Sequence, residues 1–136
     1  MLMLVHTNQR RYAVDRGDVT ELRVINGLDG LFALGTPDRP SVPVDLGAWF
    51  DPRDVITTTH WHAMVVPVRR RPVVFLTERI ESMIDKQALQ PLPPLISRRL
   101  QEPWVRGVIE LEDGLVIAID LRAVARSILA QRPAKG

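Results

Sequence analysis

The chain has no cysteine, and lysine occurs only at Lys86 and Lys135 among its 18 basic residues. The first absence excludes disulfides, thiolate metal sites and a cysteine nucleophile. It suits a reducing cytoplasm, which is the compartment expected here. The second means that arginine supplies nearly all of the positive charge, while Asp and Glu are spread along the chain and leave a formal charge of only +2. A nucleic-acid binder gathers a larger and more segregated positive charge, so no nucleic-acid partner is expected. Arginine favours bidentate contact with carboxylates, which makes acidic protein partners reasonable. Long apolar runs are missing too: none approaches the ~20 residues of a membrane helix. Met1–Val5 lacks the basic leader and long apolar stretch of a signal peptide, so no membrane insertion is expected. Gly27, Gly30 and Gly35 do not have the spacing of a phosphate-binding or dinucleotide loop, and no serine is flanked by glycines in the hydrolase manner. An enzyme reading has nothing specific to rest on, and no cofactor or metal is expected.

What is present is a chain of 136 residues, 46% of them hydrophobic, enough for one sizeable core or two small linked ones. Short β-like runs alternate with Pro, Gly and Asp. Tyr12 to Val14 and Val19 to Ile25 read as strands around the turn Asp15-Arg16-Gly17-Asp18. Asn26 to Pro40 reads as irregular loop with at most a short strand at Leu31 to Leu34. Trp61 to Val68 and Pro72 to Thr77 form a hairpin pattern around Arg69-Arg70-Arg71. Val105 to Leu111 and Gly114 to Ile119 form a second, around Glu112-Asp113. Glu78 to Leu89 fits either a helical stripe or a half-buried strand. Leu121, Val124, Ala125, Ile128 and Leu129 follow helical spacing, with Asp120 as N-cap and Pro133 near the stop. The pattern predicts an all-β, barrel-like architecture with a short C-terminal helix.

One short stretch occurs twice. Val42-Pro43-Val44-Asp45-Leu46 and Ile117-Ala118-Ile119-Asp120-Leu121 are apolar strands that end in Asp-Leu and lead into an amphipathic turn. The carboxylate at such a junction accepts free backbone N–H groups at the start of the turn. Two copies half a chain apart suggest two related subdomains. A catalytic pair of Asp45 and Asp120 is disfavoured, because their matching settings are those of caps. His60 and His62 fall on one face of a strand and can begin a zinc site, but no third ligand stands near them in sequence. Arg69-Arg70-Arg71 beside Trp61 suits a nucleic-acid-binding β-barrel as the alternative function, although a solvated turn explains the charges equally well.

The order of these weak motifs resembles the CheW-like family. The match runs through Pro72 to Asp85, the proline-rich Pro91-Leu92-Pro93-Pro94, and Trp104 to Leu121 with its Gly107-Val108 strand and Asp120-Leu121 end. Arg11 to Val14, Val19 to Ile25 and Pro43 to Leu46 fit the first half more loosely. The resemblance implies two small five-stranded SH3-like β-barrels about a pseudo-two-fold axis. It implies one domain over 1–136, with subdomains at roughly 8–60 and 61–120 and a helix at 121–131. It implies extended structure for Val73 to Ile84. It also implies a non-catalytic adaptor coupling chemoreceptors to a CheA-type histidine kinase in chemotaxis, with the kinase regulatory domain on one barrel and the receptor's cytoplasmic tip in the groove between barrels. Matched positions give Val42, Val44 and Leu46, and Val105, Gly107 and Val108, as candidate contacts. Arg106 and Glu110 are added as charged residues with no packing reason. The family's Asn-x-Arg-Gly turn is absent, which marks a shortened or divergent member.

Overall fold

The computed structural model describes residues 1–27, 30, 36–69, 71–85, 88–91 and 104–131. Ten strands and two helices follow in chain order among them. They are β1 (Leu2–His6), β2 (Arg11–Asp15), β3 (Glu21–Asn26), β4 (Val42–Asp45), α1 (Leu46–Phe50), β5 (His60–Val66), β6 (Val73–Thr77), β7 (Arg79–Ile84), β8 (Leu89–Gln90), β9 (Val105–Leu111), β10 (Gly114–Ile119) and α2 (Leu121–Gln131). They build a four-stranded sheet, β3-β5-β6-β4, and a six-stranded sheet, β7-β1-β2-β10-β9-β8. The all-β architecture, both hairpins, the extended Val73 to Ile84 and the C-terminal helix agree with the sequence reading. The strand expected at Leu31 to Leu34 lies outside the described residues.

One pairing pattern occurs in both sheets. In the first, β3 pairs antiparallel with β5, β5 antiparallel with β6, and β6 parallel with β4. In the second, β7 pairs antiparallel with β1, β1 antiparallel with β2, and β2 parallel with β10. Each parallel strand then runs into a helix: Asp45 Oδ1 accepts from the Ala48 N–H at 3.3 Å, and Asp120 Oδ1 from the Ala123 N–H at 3.1 Å. The repeated Asp-Leu is therefore a pair of equivalent caps.

The division at residues 60 and 61 needs correction. β5 and β6 pair with β3 and β4, whereas the hairpin β1–β2 belongs to the second sheet. That hairpin occupies the place that β5–β6 hold in the first sheet, so the second repeat takes its middle strands from the start of the chain. Among the described residues the two sheets hold four and six strands, in keeping with two small SH3-like subdomains.

Central strands are buried on both faces, as β1, β2 and β6 show over four or five consecutive residues. One face of each sheet has its own small core, Leu2, Leu4, Ala13, Ile109, Val116 and Ala118 in the larger and Ile25, Ala63, Val74 and Leu76 in the smaller. The opposite faces meet in a larger shared cluster, where Met3, Val5 and Val14 pack with Met64, Val66, Phe75 and the buried side of α2. This is why β1 has no alternation to betray it: a strand covered on both sides is apolar throughout.

The chain crosses from one sheet to the other between β6 and β7. There the Glu78 N–H donates to the His6 carbonyl at 2.9 Å, and the Glu78 carboxylate accepts from the Thr57 N–H and hydroxyl, each at 2.9 Å.

Candidate interaction site

The helix α1 starts at the Asp45 cap and lies closely against Asp54. A Cβ on Gly47 would stand 2.8 Å from the Asp54 carboxylate, so only glycine permits this approach. The packing turns Trp49 and Phe50 toward the larger sheet. Phe50 stacks on Tyr12 of β2 at 5.0 Å between centroids, and Trp49 meets Phe50 and Trp104 edge-on at 4.9 Å each. These four rings, with Val105 and Ile117, line a groove of about 490 Å³ at the junction of the sheets. Arg10, paired with Asp51 at 3.2 Å, and Gln131 supply its polar ends. Offset and edge-on rings at these spacings are mutually favourable. The result is a preformed, largely apolar surface suited to binding.

A β-bulge builds a polar centre beside the groove. Ala118 pairs with Gly107 and Ile119 with Val105, which leaves Arg106 as the extra residue on β9. Bulges re-aim side chains, and this one carries the Arg106 guanidinium to Asp15 (3.5 Å), Asp18 (3.6 Å) and Asp120 (3.3 Å). Arg122 reaches Asp18 from α2 at 3.7 Å. Burial pushes the Asp18 carboxyl up from its ordinary value, against the pull of Arg106. Arg106 thus ties β9, the turn after β2 and the cap of α2 together. Its packing reason was hidden in the sequence, because Asp15 and Asp18 stand at the other end of the chain.

The other sequence candidates separate by exposure. Val42 and Leu46 have no exposed surface and sit in the shared core, and Val108 is buried. Gly107 is buried because β8 lies directly over it, and a Cβ there would overlap the Gln90 carbonyl oxygen. These four are packed within the fold. Val44 and Val105 are half-buried, and Glu110 is exposed on β9. Val105 alone of the candidates lines the groove. Tyr12, Trp49, Phe50 and Trp104 were missed as a group. The available signal was that Tyr12 and Trp104 stand at predicted strand starts and Trp49-Phe50 in the turn after the Asp45 cap.

The three histidines have separate partners. His6 contacts Glu81 at 2.8 Å, and His60 contacts Asn26. His62 Nδ1 accepts the Ile80 N–H at 3.3 Å, linking β5 to β7. Burial lowers the His62 pKa. The native state therefore prefers the neutral ring, while the unfolded chain takes up a proton near pH ~6.5. The stability tied to His62 is complete above that value and is lost as pH falls from there toward the lower native pKa. Urea denaturation at pH 7.5 and pH 5.5 is expected to show a larger loss for the wild type than for His62→Gln. Equal losses would contradict the assignment.

The groove, the paired sheets and the two Asp-capped helices define a class of fold. It is the CheW-like fold. The crystal structure of the scaffolding protein TtCheW from Thermoanaerobacter tengcongensis matches with a TM-score of 0.56, covering 88% of this chain and 83% of that one at 16% sequence identity. No protein-family profile matches the sequence, and no curated protein matches it significantly. Among the described residues no helix is long and apolar enough to cross a membrane.

Proposed function

We propose that this chain is a non-catalytic adaptor that couples chemoreceptors to a CheA-type histidine kinase in cytoplasmic chemotaxis or motility signalling. The aromatic groove between the sheets carries the reading. Its four rings offer large, rigid contact area, and an amphipathic helix laid in such a groove is a common mode of recognition. The receptor's cytoplasmic tip is the helical element assigned to it. The kinase regulatory domain is assigned to the β4 side of the smaller sheet, where Val44 is the candidate still near the surface. Glu110, exposed on β9, is the candidate on the other sheet that lies at the surface. The scaffold fold of TtCheW supports the same reading.

Calorimetric titration tests it with two ligands from the source bacterium, a receptor cytoplasmic fragment and a CheA-type regulatory domain. Both are expected to bind. Trp49→Ala is expected to weaken receptor binding at least tenfold and leave kinase binding unchanged, with circular dichroism reporting that the variant is folded. Failure of the wild type to bind either ligand would overturn the proposal.

A further inference from the structure

At the opposite end of α2 from the aromatic groove lies a second, smaller pocket of about 250 Å³. Pro67, Val68 and Arg69, at the end of β5, form one wall, and Arg122 and Arg126 on α2 form the other. Arg122 and Arg126 are four residues apart and lie on one side of the helix. Arg122 is engaged with Asp18 at 3.7 Å. The Arg69 and Arg126 side chains, both on exposed residues, make no ion pair or side-chain hydrogen bond among the described residues. The wall that bears Arg69 is held in place: Arg39 Nη2 donates to the carbonyl oxygens of Val68 at 3.1 Å and Arg69 at 3.0 Å. Arg71 braces the neighbouring segment by donating to the Pro40 carbonyl at 2.9 Å. Two guanidinium groups without a partner among the described residues therefore line a pocket whose backbone is already fixed.

We infer that this pocket, distinct from the groove of the adaptor reading and independent of it, binds an acidic segment of a protein partner. Guanidinium groups match carboxylates bidentately, and the volume suits one or two acidic side chains. Pro67 and Val68 give an apolar floor for the adjoining chain. A nucleic acid fits less well, because none of the lining residues is aromatic and none offers a platform for base stacking. The low formal charge of +2 also gives little long-range attraction for a polyanion.

The test measures fluorescence anisotropy of a labelled hexaglutamate peptide on the full chain at low salt. Oligothymidylate of six nucleotides serves as the second probe. The peptide is expected to bind, and the double variant Arg69→Gln/Arg126→Gln to bind it about tenfold more weakly. Arg23→Gln/Arg53→Gln removes the same charge outside the pocket and is expected to bind as the wild type does. An unchanged Tm in both double variants keeps folding out of the comparison. The inference is overturned if the peptide does not bind, if both double variants lose affinity equally, or if the oligonucleotide binds more tightly than the peptide through Arg69 and Arg126.

Discussion

Phe75→Ala is expected to destabilise the whole chain by about 4 kcal/mol, in a single transition that melts both sheets together. Among the described residues Phe75 is the largest fully buried side chain, and it sits at the middle of β6, opposite Val44 on one side and Met64 on the other. Its cluster holds sixteen buried residues drawn from both sheets and α2, against six and four in the clusters private to each sheet. Most of the burial that stabilises either sheet is therefore burial against the other, and neither has enough core to survive alone. Phe75→Leu keeps most of the volume and should cost under about 1.5 kcal/mol. Urea denaturation followed by hydrogen exchange at β1 and at β5 checks both statements. Separate midpoints for the two strands in Phe75→Ala would refute the shared core.

Asp54→Ala should cost about 3 kcal/mol, a large effect for a residue in a loop without regular structure. Asp54 is fully buried. One carboxylate oxygen accepts from the Thr7 hydroxyl at 2.6 Å and the other from the Gln9 N–H at 2.8 Å. Both donors lie in the turn between β1 and β2, so this side chain staples the larger sheet to the segment that follows α1. Alanine leaves the Gln9 N–H without its acceptor and opens space beneath Gly47. Asp54→Asn keeps the shape and one acceptor, and about 1 kcal/mol is expected. Thermal denaturation separates the two, with a drop of roughly 10 °C for alanine and a few degrees for asparagine. Equal drops would mean that packing at Gly47, and not hydrogen bonding to the turn, dominates.

Local chemistry was legible where its partners are near in sequence. The caps at Asp45 and Asp120 and the hairpin at Glu112-Asp113 all depend on neighbours within a few residues. Arg106, Asp54 and the aromatic groove were not legible, because each draws partners from distant elements or from an unexpected sheet. Asp54 meets Thr7 across 47 positions, and Arg106 meets Asp15 across 91. The repeat itself was visible as two Asp-Leu junctions. Its boundary was not, since the hairpin β1–β2 serves the sheet that the end of the chain completes. Val42 and Leu46 show the same limit: an apolar residue on a strand reads alike whether it faces a partner or a core, and only the second sheet decides.

The parallel pairing of β2 with β10 joins Tyr12 to Ile117, and this has a consequence in time. A ribosome adding residues at ~10 per second delivers β10 about ten seconds after β2. For most of that interval the apolar hairpin β1–β2 has neither flank, and once β7 has been made it has β7 on one side and nothing on the other, while the smaller sheet, whose four strands all precede β7, is by then complete. The order of synthesis therefore leaves a sticky strand edge waiting at Tyr12 to Val14. The nascent chain therefore stays open to aggregation and to chaperone capture at this edge until β10 arrives.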